Sequence, residues 1–147
     1  MQAQILSVGT EILLGDIINT NARYIARRLA DMGISVYYQS VVGDNPSRLR
    51  KEYELAFKRA DMVIATGGLG PTNDDLTKEV AADYFGKRLV VDQCSLKKIE
   101  DYFARTGRAM PDSNRKQAYL PEGAVILPNK NGTAPGCIIN EDNKTLV

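Results

Sequence analysis

Short apolar runs alternate with amphipathic stretches along this chain, and that alternation constrains the fold more than any other feature. Residues 4–8, 34–42 and 61–66 are apolar or β-branched runs that predict strands. Between the first two runs, residues 21–32 carry apolar side chains at helical spacing, which predicts a helix that ends at Gly33. Strands and helices in regular succession indicate an α/β layered fold with a mainly parallel sheet.

The rest of the chain continues this pattern. Asn45 and Pro46 predict the start of a helix, with Asn45 as its cap. Further predictions are helices over residues 74–85 and 92–105, a short helical turn over 113–119, and strands over 89–91, 124–127, 137–140 and from Lys144 onward. No helix follows the strand at Lys144, so we expect residues 1–147 to be one domain that is truncated at its C-terminus.

Charge and composition exclude several classes of function. Lys and Arg number 19 and Asp and Glu 18, and a net charge of +1 is too small for a dedicated binder of nucleic acid or of anionic membranes. The chain contains no histidine, which excludes a Ser-His-Asp triad, a Cys-His dyad and a His-ligated zinc site. Acid–base chemistry must therefore use carboxylates, lysines, tyrosines or a metal-bound water.

The two cysteines and the absence of an apolar span bear on the cellular compartment. Cys94 and Cys137 are too few for a Cys-rich zinc site or an iron–sulfur cluster, and we expect them to be buried thiols in a reducing environment. No apolar run reaches about 18 residues, and the N-terminus lacks the basic region of a signal peptide. The sequence therefore predicts a cytoplasmic protein with no membrane partner and no direct nucleic-acid partner.

The segment TGGLGPTNDD at residues 66–75 is the sharpest functional candidate, because it lies between a predicted strand and a predicted helix. Its three glycines let the backbone adopt positive φ and approach a ligand closely. The following helix presents unpaired N–H groups and the positive end of its dipole, and ligands of open α/β sheets bind at this end of the strands. We expect an anionic group, phosphate above all, although the segment is neither a Walker A loop nor a dinucleotide fingerprint.

Asp74 and Asp75 at the end of this loop allow two interpretations. One of them could cap the helix, which would account for a single aspartate. A second acid beside a phosphate would repel it unless a divalent cation lay between them, and Mg²⁺ is commonly held by one or two carboxylates together with substrate phosphates. We favour the interpretation in which the pair holds a metal.

Two further polar segments follow predicted strands. The first comprises Gly9-Thr10-Glu11, Gly15-Asp16 and Asn19-Thr20-Asn21, of which helix capping explains the last three residues but not the first three. Gly43-Asp44 ends the second strand in the same manner, and an ordinary loop is an equal alternative there. We therefore expect at least the first segment to contribute to a site.

The segment NKNGTAPG at residues 129–136 is long for a hairpin loop. Its small residues with exposed N–H groups would let a ribose or a base lie against it, and a plain connecting loop is the equal alternative. Asn114, Lys116 and Gln117, which precede the strand at 124–127, are most simply surface residues.

Taken together, VGTEILLGDIINTNARYIARRLADMGI, VGDN, TGGLGPTNDDLTKE, NRKQA and NGTAPG resemble the N-terminal domain of the competence/damage-inducible CinA family. The resemblance extends from residue 5 to residue 136. That domain is similar in fold to the molybdopterin-binding domains of gephyrin and of the bacterial molybdopterin adenylyltransferases. It implies a three-layer α/β/α fold and a divalent-metal-dependent pyrophosphatase that hydrolyses ADP-ribose, with Mg²⁺ as the first choice of cation.

The resemblance also implies roles for individual residues. Asp74 and Asp75 would hold the metal or activate water, and Glu11 and Asp44 would face the same crevice. The residues that would cradle phosphate are Thr66, Gly67, Gly68, Gly70 and Thr72. Those that would complete the nucleotide site are Asn114, Gln117, Asn131, Gly132 and Thr133. Gly9, Thr10 and Asn21 from the first polar segment are added as candidates for substrate binding.

Two alternatives for the function stay open at this point. One is a molybdopterin-binding or adenylyltransferase-like domain, and the other is a non-enzymatic nucleotide-binding module linked to competence.

Family members carry a Pro-Gly-rich motif with an acidic residue after the strand that here begins at Lys144, and many carry a C-terminal nicotinamide-nucleotide amidase domain; neither is in this sequence. Related domains form dimers or trimers, so we expect a homo-oligomer.

Overall fold

The structure is a computed structural model and describes residues 1–147. Its strands are β1 (Gln2–Val8), β2 (Ser35–Val42), β3 (Met62–Thr66), β4 (Leu89–Val91), β5 (Tyr119–Pro121), β6 (Val125–Leu127), β7 (Gly136–Glu141) and β8 (Lys144–Leu146). Its α-helices are α1 (Thr10–Leu14), α2 (Thr20–Asp31), α3 (Pro46–Ala56), α4 (Thr77–Tyr84) and α5 (Gln93–Arg105). A 3₁₀ helix (Asp112–Ala118) precedes β5.

Six of the strands form one central sheet in the order β2-β1-β3-β8-β7-β6. The first four strands in that order are parallel, and β7 and β6 continue the sheet as antiparallel neighbours. β4 and β5 pair with each other in a separate two-stranded antiparallel sheet. The predicted α/β fold with a mostly parallel sheet is thereby confirmed.

The core lies on both faces of the central sheet. On one face, Leu6 and Val8 of β1 pack with residues of α3 and α4, and Tyr53 of α3 is completely buried there. On the other face, Ala3 and Ile5 of β1 pack with α2. Alternate residues of a strand point to opposite faces, so an apolar β1 has helices on both sides, which produces the predicted three layers.

Side-chain caps fix the start of three helices. Asn19, Asn45 and Asp92 each accept a hydrogen bond from the N–H group three residues ahead, at 3.1, 3.0 and 2.6 Å. Pro46 occupies the first turn of α3, where its missing N–H group costs no hydrogen bond. The predicted start of α3 at Asn45 and Pro46 is confirmed.

Several local predictions were wrong. The helix predicted over residues 74–85 begins only at Thr77, and neither Asp74 nor Asp75 caps it. Cys94 is exposed rather than buried, because it lies on the outer side of α5 in the first turn, while Cys137 is half-buried; both thiols are free. The short helix α1 and the strand β5 were not predicted. α1 has no buried face, and β5 begins at Tyr119, inside the helical turn predicted over 113–119, and ends at a proline, which is depleted in strands.

The helices of this chain are either too short or too polar to cross a lipid bilayer.

Candidate functional site

Three loops meet at the carboxyl ends of β1, β2 and β3. These strands are parallel and adjacent, so residues 9–11, 43–44 and 66–75 emerge at the same edge of the sheet. This is the edge at which ligands bind in open α/β sheets. The structure therefore brings together the three segments that sequence analysis had singled out separately.

Gly67 carries the glycine loop closely past the end of β1. A Cβ atom at this position would lie 1.9 Å from the carbonyl oxygen of Val8, and the φ angle of Gly67 is +96°. Thr77 at the start of α4 fixes the same loop, since its hydroxyl donates to the carbonyl oxygen of Gly67 at 2.8 Å and its N–H group to that of Gly68 at 3.2 Å. Only glycine fits this close approach.

Thr10 and Asp44 join the loops after β1 and β2. The N–H group and the hydroxyl of Thr10 both donate to Asp44 Oδ2, at 2.9 and 2.8 Å, and the N–H group of Asp44 lies 3.2 Å from Thr10 Oγ1. Gly43 passes so close to Thr10 that a Cβ atom there would lie 3.2 Å from the Thr10 hydroxyl. Thr10 and Asp44 therefore join the ends of β1 and β2 directly.

Asp75 is turned back over its own loop. Its Oδ2 accepts hydrogen bonds from the N–H group of Thr72, at 2.9 Å, and from the Thr72 hydroxyl. A Cβ atom on Gly70 would lie 2.5 Å from this carboxylate, so the absence of a side chain at residue 70 makes room for it. Partial burial raises the pKa of Asp75, but the hydrogen bonds from Thr72 and the charge of Lys116 outweigh burial and hold the pKa below its usual value.

The carboxylates available for a cation are those of Asp74 and Asp75. Asp74 is exposed and makes no hydrogen bond or ion pair, and Oδ1 of Asp75 accepts no hydrogen bond. No group of three or more Asp, Glu or Cys side chains is assembled as a metal cluster. This donor set fits a hard cation that is held by one or two carboxylates and completed by substrate oxygens, as Mg²⁺ commonly is.

Lys116 is a component of the site that sequence reasoning missed. It had been interpreted as a surface residue, but its ammonium group is half-buried and donates to the carbonyl oxygens of Thr72, at 2.7 Å, and Asp75. Glu79 of α4 lies 3.6 Å from the same ammonium. Lys116 therefore places a positive charge beside the glycine loop. Its segment NRKQA contributes to the family resemblance, but the contact with the loop was not predicted because residue 116 is distant along the chain.

Asn114 and Gln117 were also interpreted as surface residues before the resemblance was considered, and that interpretation was wrong. Both are buried on the inner side of the 3₁₀ helix, and the Asn114 amide donates to Gln117 Oε1 at 3.3 Å. The Gln117 amide in turn donates to the carbonyl oxygen of Leu69, at 3.4 Å, and Thr133 donates to Gln117 Oε1 at 2.9 Å. Gln117 thus connects the glycine loop to the loop that contains Thr133.

The remaining candidates are distributed less closely. Glu11 is exposed and folds over Gly9, where a Cβ atom would lie 2.7 Å from Glu11 Oε1. Asn21 is exposed in the first turn of α2 and forms no hydrogen bond to the three loops. Asn131 and Gly132 lie in the wall of a cavity of about 900 Å³ between α5 and residues 128–135, which does not include any residue of the glycine loop.

Residues 4–147 match a family model described as a probable molybdopterin binding domain. The chain is 67% identical over 146 residues to a protein of Clostridium novyi named as competence-damage inducible. The aligned residues make up 99% of this chain and 35% of that protein. The chain therefore spans about a third of the length of that relative.

Two solved structures are similar to the chain. The protein CinA of Thermoplasma acidophilum has a TM-score of 0.88 and 34% sequence identity, covering 99% of this chain and 85% of that one. A molybdopterin biosynthesis protein of Mycobacterium abscessus has a TM-score of 0.63 and 17% identity, covering 99% and 77%, which supports the fold alone. The chain therefore belongs to the CinA-like, competence-damage inducible family, and residues 4–147 form a domain of the type described as a probable molybdopterin binding domain.

Proposed function

We propose that this domain is a divalent-metal-dependent pyrophosphatase that hydrolyses ADP-ribose. The observation that carries the proposal is the position of Asp75, whose carboxylate lies over the glycine loop with a lowered pKa and one oxygen without a hydrogen-bond partner. An ionised carboxylate beside a loop suited to phosphate calls for a cation between the two. A diphosphate would suit such a loop, and Asp74 and Asp75 would hold the cation that offsets its charge.

The backbone of residues 66–72 would bind the diphosphate. Gly67 and Gly68 have positive φ and no side chains, so no side chain of theirs would separate their backbone from a bound phosphate. The first turn of α4, which begins at Thr77, adds the positive end of a helix dipole. Lys116 adds a full positive charge at the same loop, so the site attracts an anion from several directions.

Asp74 and Asp75 would hold the cation through their unpartnered carboxylate oxygens. A divalent cation held there would supply a coordinated water of lowered pKa and would offset charge on the phosphoryl oxygens. With no histidine in the chain, a carboxylate is the natural proton acceptor for the attacking water, and Glu11 is the exposed candidate at the same edge of the sheet. Asp44 is less available for this role because Oδ2 is occupied by Thr10.

The test is the substitution Asp75→Asn, which keeps the size of the side chain and an oxygen that can accept from Thr72 but removes the charge. We expect Mg²⁺-dependent release of AMP from ADP-ribose to fall by about 100-fold or more, with unchanged circular dichroism and melting temperature within a few degrees. Asp112→Asn, an exposed aspartate on the 3₁₀ helix, is the matched control. Hydrolysis at the normal rate in Asp75→Asn would refute the assignment.

A molybdopterin-binding or adenylyltransferase-like activity is the second candidate, favoured by the description of the matching family. The carboxylate pair does not discriminate between the two, because adenylyl transfer also uses a metal and a phosphate loop. A thermal-shift series with ADP-ribose, ATP and a pterin discriminates, since a ligand that binds the folded state raises the melting temperature by mass action. Stabilisation by ADP-ribose without any hydrolysis would instead favour a non-enzymatic nucleotide-binding module. Under each of these candidate functions, a homo-oligomer stays a prediction.

A further inference from the structure

Four aliphatic side chains on α1 and on the turn that follows it are exposed to solvent. They are Leu13, Leu14, Ile17 and Ile18, which are 50%, 71%, 50% and 86% exposed. No residue of α1 is buried, so the core of the domain does not account for these side chains. We call these four residues the α1 patch.

Backbone hydrogen bonds give the α1 patch a fixed shape. The N–H group of Gly15 donates to the carbonyl oxygen of Ile12 at 3.2 Å. The N–H group of Asp16 donates to the carbonyl oxygen of Glu11 at 3.0 Å. Gly15 has a φ angle of +82°, and this left-handed conformation ends α1 and turns the chain. A surface that is presented by a closed turn loses little conformational entropy when a partner covers it.

The size of the α1 patch matches the apolar part of a protein–protein interface. Its four residues together expose roughly 450 Å², which is within the range of the largest apolar patches on monomers, and such patches are often functional. An interface of standard size buries about 800 Å² on each partner, of which about 450–520 Å² is apolar. The α1 patch is therefore large enough to form the apolar centre of a stable dimer.

A second copy of this chain is the partner that suits the α1 patch. The four side chains of the patch are all aliphatic, so the patch is complementary to itself, and a two-fold contact requires this one surface alone. Asp16 and Arg23 flank the patch in sequence, are exposed, and form no ion pair within the chain. A two-fold contact brings a surface residue toward a different residue of the other copy, which offers Asp16 and Arg23 opposite charges at the rim.

We propose that the α1 patch packs against the same patch of a second copy, and that this contact completes the candidate site. Leu14 lies one turn after Glu11 on the same side of α1, because residues three apart on a helix are neighbours. Leu13 lies against the loop after β2, where a Cβ atom on Gly43 would be 3.4 Å from Leu13 Cδ2. A second copy on the patch therefore restricts α1, and with it the Glu11 carboxylate, beside the strand-end loops. The part that concerns Glu11 rests on the function proposed above, in which Glu11 accepts a proton.

The experiment is analytical ultracentrifugation of the 147-residue chain over a range of about 1 to 100 µM. We expect a dimer, and the double variant Leu14→Ser/Ile18→Ser should raise its dissociation constant by about 100-fold or more, because each copy loses two apolar contacts. Met32→Ser/Val125→Ser is the matched control, since these residues are 68% and 55% exposed elsewhere on the surface, and it should leave the dissociation constant unchanged. All four substituted residues are exposed, so circular dichroism should show every variant folded.

Hydrogen exchange of the unmodified chain gives a second readout that depends on no variant. Amide protons of residues 13–18 should exchange more slowly at about 100 µM than at about 1 µM, whereas those of α5 should exchange at the same rate at both concentrations.

Two outcomes would overturn the contact: a wild-type chain that stays monomeric throughout this range, or a dimer that is as stable in Leu14→Ser/Ile18→Ser as in the wild type. The result for the proposed function is read separately. A dimer that depends on the α1 patch but does not hydrolyse ADP-ribose would support the contact and contradict the pyrophosphatase. Hydrolysis that is as fast in the monomeric double variant as in the wild-type dimer would support the pyrophosphatase and contradict the claim that the contact completes the site.

Discussion

Thr72 donates two hydrogen bonds to the same oxygen of Asp75, one from its N–H group at 2.9 Å and one from its hydroxyl. The two residues therefore form a closed turn within the glycine loop, and Asp75 is oriented by that turn rather than by the helix that follows. Lys116 holds the same turn from its other side, because its ammonium donates to the backbone carbonyl oxygens of both residues. The carboxylate is thus fixed in position while Oδ1 stays free for a ligand.

The hydroxyl of Thr72 should determine how strongly Asp75 is acidified. In Thr72→Val, loss of that donor should move the pKa of Asp75 upward toward its ordinary value, because the hydroxyl stabilises only the ionised form. An NMR titration of the aspartate carboxyl carbons in metal-free protein measures this directly. Thr72→Ser retains a hydroxyl and should retain the lowered pKa.

The same shift has a consequence for stability as a function of pH. A carboxyl group whose pKa is lower in the folded chain binds its proton more tightly in the unfolded chain. It therefore stabilises the fold at pH values above the pKa of the unfolded chain, which is about 3.9. That contribution disappears as the pH falls through the lower folded value. The stability difference between the wild type and Thr72→Val should therefore shrink below about pH 4. A difference that stayed constant through the acid range would show that the hydroxyl does not act through Asp75.

Gly67→Ala should be much more damaging than Gly86→Ala. Both glycines have positive φ, at +96° and +61°, but a Cβ atom at Gly86 meets nothing within 4 Å, whereas one at Gly67 would overlap the carbonyl oxygen of Val8. Gly86→Ala should cost about 1–2 kcal/mol from φ alone, and displacement of β1 should add about 1–3 kcal/mol in Gly67→Ala. Urea denaturation of both variants measures the difference, and equal losses would mean that the close approach is not tight.

The fold was predictable because its main signals are local. The alternation of apolar runs and amphipathic stretches gave the parallel part of the sheet, and Asn45 with Pro46 identified the start of α3 without any tertiary information. The pairing of β8 with β3 and the separate β4–β5 sheet depend on long-range contacts that no short window of sequence encodes. Asp75 illustrates the same limit, because its side chain was compatible with capping α4 until its hydrogen bonds to Thr72 were known.

The candidate site was predictable only in part. Thr10, Asp44 and the glycine loop follow successive parallel strands, so their meeting at one edge of the sheet follows from the topology. Lys116 lies more than forty residues from the loop that it contacts, and its role depends on the path of the 3₁₀ helix. The cavity beside α5 likewise arises from the packing of two segments that are distant along the chain, and neither has a distinctive motif.

Lys78 should prove essential for the folded state although it lies outside the proposed chemistry. It is only 4% exposed, and its ammonium donates to the carbonyl oxygens of Lys116, Gln117 and Tyr119, at 3.2, 2.9 and 3.0 Å. Lys78→Met keeps the length and apolar character of the side chain but removes all three charged donors. We expect the free energy of unfolding to fall by about 3 kcal/mol, measured by urea denaturation, against a change below about 0.5 kcal/mol in Lys51→Met on the exposed side of α3.

The effect of Lys78 should also depend on pH in a defined direction. Burial lowers the pKa of Lys78 in the folded chain, and the nearby Glu79 only partly opposes this. The unfolded chain then binds the proton more tightly, so the contribution of Lys78 to stability rises with pH between the lowered folded value and the ordinary value of about 10.4, and it levels off above that. The difference in the free energy of unfolding between the wild type and Lys78→Met should therefore widen as the pH is raised from 7 toward 10. A difference that narrowed over this range would indicate that the three carbonyl partners stabilise the ammonium more than burial destabilises it.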